Sequence, residues 1–422
     1  MIEWLILVNT LFIANRFTWL CPFEINKPTF WCENGTVAGE FFFYMALAAA
    51  VLIFLHGSPL RSVWERAWRR NAILALFLLV CLSSTLWSES AVHTLYRFFV
   101  VLFSAIIASY LGIRYRDSDW IRIIAWFTGV TVLLSFLLVW LLPGAAIMST
   151  LGLVGAWRGA FSHKNYAGSI VAYGASVLAL AFFVYRRPII RILVALLFAA
   201  AVVFIYLTRS ATGVLVLAFQ LALLAALLMW RRFRESLRRP HYLAFAGILV
   251  FGALLAILFR DAGLGLLGRN ASLTGRIPLW VWVIAQVRHH NVWFGYGLWT
   301  VWRFPEFTTR AGIEAGWPYP IIDSHNGYLD VLLYLGVFGL TVFLALVTQT
   351  VWRAASHLWS RGDLHSFWMV MTVGYVLVAN LTVSFFFQFE TFHWLLLVAV
   401  LFGTSLPRQA ATPAASMRSV QA

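Results

Sequence analysis

The feature that most restricts the fold of this chain is a series of long apolar runs, most of them close to the roughly 20 residues that cross a bilayer as a helix. The runs are continuously apolar, whereas strands of a membrane β-barrel alternate between apolar and polar side chains. With 62% hydrophobic and 11% charged residues, the chain cannot cover itself with polar surface in water. We therefore predict an all-α, polytopic membrane protein.

The apolar runs predict about twelve transmembrane helices in one integral membrane domain, residues 1–406, followed by a disordered cytoplasmic tail at 407–422. The first run lacks a basic start and a small-residue cleavage site, so no cleaved signal peptide is expected. The predicted spans cover residues 2–15, 37–56, 72–87, 95–113, 120–142, 166–185, 189–207, 211–230, 242–259, 327–352, 367–384 and 386–406.

Arginines cluster in loops that fall on one side of the membrane if there are twelve spans. Because basic loops face the cytoplasm, both termini are predicted to be cytoplasmic in a bacterial inner membrane. These loops also account for much of the net charge of +15, so no nucleic-acid partner is expected. The periplasmic face then holds the 143–165 loop, the turn at Arg209 and a long connection over 260–326. The loops predicted to be cytoplasmic contain Arg61, Arg66, Arg69, Arg70, Arg114, Arg116, Arg122, Arg186, Arg187, Arg191, Arg231, Arg232, Arg234, Arg238, Arg239, Arg353 and Arg361.

The cysteine and histidine patterns predict no metal site and no cofactor. The chain has no HExxH motif and no Cys/His set with metal-ligand spacing. Cys81 lies in an apolar run and is interpreted as a packing residue. Cys21 and Cys32 flank a polar loop, and a disulfide between them is left open.

Several cationic side chains lie on the predicted periplasmic face, against the usual charge bias. Arg209 stands beside the start of one span, and Arg276 precedes a predicted interfacial helix in which Pro278 suits the first turn. Free N–H groups at helix starts, together with arginines, favour the binding of phosphate. Other interpretations remain open: Arg209 could anchor a helix end at lipid headgroups, and Arg276 could form a loop salt bridge. Asn165, Ser210 or Thr208, and Ser324 or Asn326 are the predicted helix caps.

His325 lies where the polar stretch "DSHN" meets an apolar run. A neutral histidine can accept a proton, and nearby arginines lower the pKa of such a group by repulsion. Asp323 is a candidate for orienting the ring. A base beside a phosphate-binding rim suits a reaction in which a deprotonated hydroxyl displaces a phosphate-linked leaving group.

Four segments in chain order, "LTRSATG", "LTGRIPLW", "FGYGLW" and "DSHNGYLDVLLYLGVFGL", resemble the O-antigen ligase and Wzy-type polymerase family. "LWSESAVHTLYR" also resembles the early region of that family. "WRGAFSHKNYAG" is similar to a segment found particularly in its exopolysaccharide polymerases. The resemblance implies a fold of the lipid-sugar glycosyltransferase type and an inverting, metal-independent transfer at the periplasmic face. It further implies a glycan donor carried on undecaprenyl diphosphate.

The same resemblance implies roles for individual residues. His325 of the His-Asn pair would be the catalytic base, and Arg209 and Arg276 would hold the diphosphate. Further candidate substrate-binding residues are Arg158, His163, Lys164, Asn165 and Asn326.

The acceptor is left open by the sequence. A polymerase passes the glycan to a lipid-linked repeat unit, whereas a ligase passes it to lipid A–core. The segment from His163 to Asn165 favours the polymerase, for which chain-length regulator proteins are candidate partners. A transporter of polysaccharide or lipid-linked sugars is the alternative from another class, although it predicts charged or broken segments at mid-membrane.

Overall fold

The computed structural model describes residues 30–116, 118–149, 153–233, 275–387 and 392–405, and these form α-helices and short turns without a β-strand. The all-α prediction is confirmed. In chain order the helices are α1 (Phe30–His56), α2 (Leu60–Arg69), α3 (Ala72–Ser83), α4 (Ala91–Arg114), α5 (Asp119–Leu141), α6 (Pro143–Ala146), α7 (Lys164–Ala181), α8 (Pro188–Leu207), α9 (Ala211–Phe233), α10 (Arg276–His290), α11 (Pro305–Ala315), α12 (Gly327–Arg361), α13 (Leu364–Ala379) and α14 (Phe392–Gly403).

Five of the described helices are long and apolar enough to cross a membrane, or six if a bent pair, Phe41–His56 with Leu60–Arg69, is one span. This result confirms a polytopic membrane protein, while the count of twelve spans stays a prediction. The predicted spans 2–15 and 242–259 lie outside the described residues, as does Cys21. The helical segment α2 was not predicted, and it meets the preceding helix at 117°. Cys81 is buried and free, as a packing residue should be.

Two of the predicted cytoplasmic arginine segments meet the end of α14 at one end of the bundle, here called the arginine end. Arg353 donates from its guanidinium to Asn71 Oδ1 at 2.6 Å, to Ser405 Oγ at 3.0 Å and to the backbone oxygen of Arg70 at 3.0 Å. Arg70 in turn donates to the backbone oxygen of Ser405 at 3.0 Å. Residues from the start of α3, the distal half of α12 and the end of α14 therefore lie at the same end.

The interior of the bundle is made by α7, α13 and α14, whose residues are mostly buried. Tyr173 of α7 stacks on Tyr375 of α13 with ring centroids 4.4 Å apart, and its hydroxyl accepts from Trp368 Nε1 at 3.0 Å. Gly168 and Gly213 let α7 and α9 approach closely near their first turns. These contacts hold the first turns of α7 and α9 side by side at the end opposite the arginines, here called the site end.

Helix α12 does not run straight, because Gly336 has φ 65° and ψ −169°, a conformation that glycine alone adopts readily. The 292–297 loop fits into the break: Val337 N donates to Val292 O, and Tyr296 N donates to Leu333 O. Each freed backbone group at these positions thereby gains a partner.

The break turns the first part of α12 back along the second. The Phe386 ring lies 5.6 Å from Tyr328 and 4.7 Å from Phe343. A straight helix would separate those two residues by roughly 22 Å. The start of α12 therefore lies near the level of Phe343, roughly 10 Å deeper in the bundle than Gly336.

Candidate active site

The loop that precedes α12 holds His325 in a fixed position. His325 has φ 53°, a left-handed conformation that is uncommon outside glycine. Its backbone N–H donates to Asp323 Oδ1 at 2.7 Å, and its ring Nδ1 lies 3.4 Å from the same oxygen. The Trp317 ring stands edge-on to the imidazole at 4.9 Å. Among the described residues, no hydrogen bond engages Nε2, which is the ring nitrogen left for a substrate.

Asn326 follows as the cap of α12, as predicted. Its side-chain oxygen accepts from the backbone N–H groups of Tyr328 and Leu329 at 3.0 and 3.2 Å. Its own N–H donates to Ser384 Oγ at 3.0 Å. Since the Oδ1 atom is occupied, the geometry gives Asn326 a structural role, and its prediction as a substrate ligand stays untested.

Asp330 lies beneath the loop and is fully buried. Its Oδ1 accepts from the indole N–H of Trp302 at 3.1 Å and from the backbone N–H of Ser324 at 3.2 Å. The carboxylate thus ties the loop beside His325 to the 3₁₀ turn Val301–Arg303. Sequence reasoning missed this residue, although an acidic side chain within an apolar run is a signal for a functional site.

The first turn of α7 forms the second part of the site. His163 is the cap of this helix, since its Nδ1 accepts from the Asn165 N–H at 3.2 Å. The prediction that Asn165 would be the cap is therefore wrong. Asn165 instead accepts from Ser210 Oγ at 3.2 Å, and Lys164 donates to the backbone oxygen of Arg209 at 3.0 Å. Ser210 caps α9 by accepting from the Gly213 N–H, and it is one of the two residues that were predicted for this position.

Helix α10 brings Arg276 to the histidines. Gly275, which precedes it at φ 92°, packs so closely on Ala315 and Trp317 that no side chain fits there. Trp280, one turn further along α10, donates from its indole to the backbone oxygen of Ser324 at 2.9 Å. The start of α10 is therefore fastened both to the residue before His325 and to the tryptophan beside its ring. Arg276 is the first residue of α10, whereas the sequence analysis placed it before the first turn.

Burial and neighbouring charges act on both histidines. Burial lowers the pKa of His163 to about 3, assisted by the charges of His325, Lys164, Arg158 and Arg276 in that order. Burial likewise lowers the pKa of His325, with Asp323 opposing this shift and Arg276 adding to it. The predicted direction for His325 is correct, but burial rather than arginine repulsion is the leading cause. Both rings are therefore neutral near neutral pH.

The remaining arginines lie at the margin. Arg158 donates from Nε to the backbone oxygen of Ala145 at 2.7 Å and from Nη1 to that of Ser162 at 3.3 Å, so it connects the end of α6 to the segment before α7. Arg209 is exposed and in a left-handed conformation at φ 49°. Its guanidinium lies against Gly155 and donates to the backbone oxygen of Val154 at 3.4 Å. Arg209 therefore borders the first turn of α7. Lys164, which follows His163 in the chain, connects it to the histidines by donating to its backbone oxygen.

The structure thus collects His325, His163 and Arg276 at the core of the site, with Lys164, Asn165, Arg158, Arg209 and Asn326 around them. The region 87–97 packs on 294–299 nearby: Trp87 donates to the backbone oxygen of Phe294 at 3.0 Å, and the Ser88, Thr94 and Thr300 hydroxyls lie within 2.8 Å of one another. Within the described ranges, no three or more His, Cys, Asp or Glu side chains form a group that could hold a metal ion.

A comparison with protein families finds a match that covers part of this region. The family model described as O-antigen ligase matches residues 196–344, which contain Arg209, Arg276 and His325. Comparison with curated proteins gives no significant match. The match leaves out the first turn of α7, so the placement of His163 and Lys164 in the site rests on the geometry alone.

Proposed function

We propose that this membrane protein is a glycan-transferring enzyme that moves a glycan from undecaprenyl diphosphate to an acceptor hydroxyl at the site end. The match of residues 196–344 to the family model described as O-antigen ligase supports the proposal. The observation that carries the proposal is the placement of a neutral histidine, backed by a carboxylate and flanked by Arg276, at the recessed start of α12. The site end is periplasmic in this proposal, because the arginine end is the cytoplasmic one.

The reaction needs a base and a site for an anion. His325 accepts the hydroxyl proton on Nε2 as the acceptor oxygen bonds to the anomeric carbon. The bond between that carbon and the diphosphate oxygen breaks on the opposite side, and the leaving lipid diphosphate carries away the bonding electrons. Arg276 stabilises the charge that develops on the leaving oxygen. Asp323 stabilises the imidazolium that forms, as a carboxylate behind a catalytic histidine does.

The depth of the site suits a donor that is anchored in lipid. Trp293 and Phe294 are 62% and 43% exposed beside the break in α12, and exposed aromatic rings of this kind favour the membrane interface. The start of α12 lies deeper than this level, so a diphosphate on a membrane-embedded chain reaches His325 without leaving the interface. Arg209, at the exposed margin, is suited to the outer part of the diphosphate or its first sugar.

The test is transfer by purified protein in vitro. Lipid-linked repeat units are supplied with and without lipid A–core, and the products are separated on a gel. Longer chains without lipid A–core indicate a polymerase, and glycan attached only to lipid A–core indicates a ligase. The segment around His163 leads us to expect the polymerase.

His325→Ala is expected to lower turnover by about 10²–10⁴-fold, the usual contribution of a general base, while donor binding persists. His289→Ala is the matched control, because His289 is exposed at the far end of α10. Normal turnover by the His325 variant would show that the base is another group. Accumulation of glycan inside sealed vesicles without a new glycosidic bond would favour a transporter instead.

A further inference from the structure

The two histidines of the site have different hydrogen-bond environments, although both are neutral. His163 uses Nδ1 as an acceptor, because the backbone N–H of Asn165 donates to it at 3.2 Å. A backbone N–H is always a donor, so Nδ1 of His163 carries no proton. In a neutral imidazole the proton then resides on Nε2.

His325 has the opposite arrangement. Its Nδ1 is buried and lies 3.4 Å from the carboxylate oxygen of Asp323, which can only accept while it is ionised. The proton of neutral His325 is therefore favoured on Nδ1, and Nε2 presents a lone pair. In the described part of the chain, no hydrogen bond engages Nε2 of either ring.

From this contrast, and building on the proposed function, we propose that His163 is a second catalytic residue that acts only as a hydrogen-bond donor. Its Nε2–H contacts the donor substrate on an oxygen of the diphosphate or of the sugar attached to it, while His325 Nε2 takes the proton of the acceptor hydroxyl. No proton is exchanged at His163 during transfer.

The surroundings of His163 hold this state in place. Helix α7 starts at the next residue, so a protonated ring would lose its capping bond to the Asn165 N–H and would stand beside a helix N-terminus, which disfavours positive charge. Lys164, Arg158, Arg276 and His325 are the charged and titratable groups that face it. A neutral donor in this place can approach an anionic diphosphate without the desolvation cost of another full charge.

The rival interpretation is that His163 serves the fold alone, as the cap of α7. Asparagine separates the two roles, because its side-chain oxygen is a good helix cap whereas its amide is too short to replace Nε2–H. We therefore compare His163→Asn with His163→Ala, which loses both the cap and the donor. His289→Asn is the control for loss of an exposed histidine.

The measurements are the melting temperature, the turnover with lipid-linked repeat units and its pH profile. We expect His163→Asn to keep the melting temperature of the unsubstituted protein and to lower turnover by about 10- to 100-fold, as loss of one hydrogen bond to an anion does. The acid limb of its pH profile should remain, because the proton acceptor is still His325. His163→Ala should lose the same activity and also melt at a lower temperature.

Two results would overturn the inference. Full turnover by His163→Asn would reduce His163 to a helix cap. Disappearance of the acid limb in that variant would make His163 a proton acceptor rather than a donor. Both results leave the proposed function intact. The proposed function fails separately if the unsubstituted protein forms no new glycosidic bond from lipid-linked repeat units.

Discussion

Arg353 at the arginine end and Arg276 at the site end differ in what surrounds them. Arg353 donates to Asn71, Ser405 and a backbone carbonyl, and so joins three helices. Arg276 begins a helix fastened next to a histidine whose pKa it lowers. The same side chain thus joins helices at one end and adds to the lowering of a histidine pKa at the other. Position in the bundle, rather than residue type, decides which arginines bear on chemistry.

The sharpest test of this contrast exchanges the two arginines for glutamine, one at a time. Arg276→Gln is expected to lower turnover by about 10²–10³-fold through lost stabilisation of the leaving diphosphate, with little change in melting temperature. Arg353→Gln should do the reverse, costing about 1–3 kcal/mol of stability through lost charge-assisted hydrogen bonds while turnover per folded molecule stays normal. Turnover and thermal unfolding are measured on both variants. If Arg353→Gln lowered turnover as much as Arg276→Gln does, the two arginines would not differ in their role, and the contrast between the two ends would be wrong.

Asp330 tests whether the site end also contains residues that act only through the fold. Asp330→Ala removes the acceptor of the Trp302 indole and the Ser324 backbone N–H. We expect a loss of about 2–4 kcal/mol of stability from unsatisfied buried donors, together with roughly 10-fold lower turnover because the His325 loop loosens. Asp330→Asn keeps one acceptor oxygen, so its stability and turnover should lie between those of the unsubstituted protein and those of Asp330→Ala. Full activity and stability in Asp330→Ala would show that the loop is held by other contacts.

The pH dependence of kcat/KM tests how the charges around His325 act on its pKa. Its pKa is below the ordinary 6.5, so we expect kcat/KM to be steady around neutral pH and to fall as the pH drops through that lowered value. Arg276→Gln removes a positive neighbour, raises the pKa and should move the acid limb to higher pH. Asp323→Asn removes the negative neighbour, lowers the pKa and should move the limb to lower pH. Shifts of the same sign in both variants would contradict the assignment of the base.

Some parts of this organisation can be predicted from the sequence and others cannot. The side of the membrane on which a loop lies can be predicted locally, because arginines and apolar runs alternate along the chain. This pattern placed Arg70 and Arg353 on the same side, and the two residues are in contact. The reversal of α12 is not local. Gly336 and Gly339 were noticed as glycines of one helix, but the break depends on the 292–297 loop, which fills it from more than 35 residues away.

The histidine cap illustrates the same limit on a smaller scale. Asn165 is the better cap type by preference, yet α7 begins two residues earlier than its apolar run suggests, and His163 takes the cap position. Asp330 stands out as an acidic residue in an apolar run, but the sequence does not say which groups it binds. Its meaning becomes visible only when Trp302 and Ser324 are placed around it by the fold.

Arg209 gives the smallest expected effect and tests where the boundary of the site lies. Its side chain is exposed and its guanidinium donates to the backbone oxygen of Val154 at 3.4 Å. Because it is exposed, its field is screened by water and salt. We expect Arg209→Ala to raise KM for the lipid-linked donor by about 3- to 10-fold, with little change in kcat, and this difference should shrink as the salt concentration increases. The matched substitution is Arg310→Ala, an exposed arginine paired with Glu314 on α11, which should leave KM unchanged. If both substitutions raise KM equally, the effect reflects the general charge of the surface. Arg209 would then lie outside the site, and Lys164 would be its outermost residue on this side.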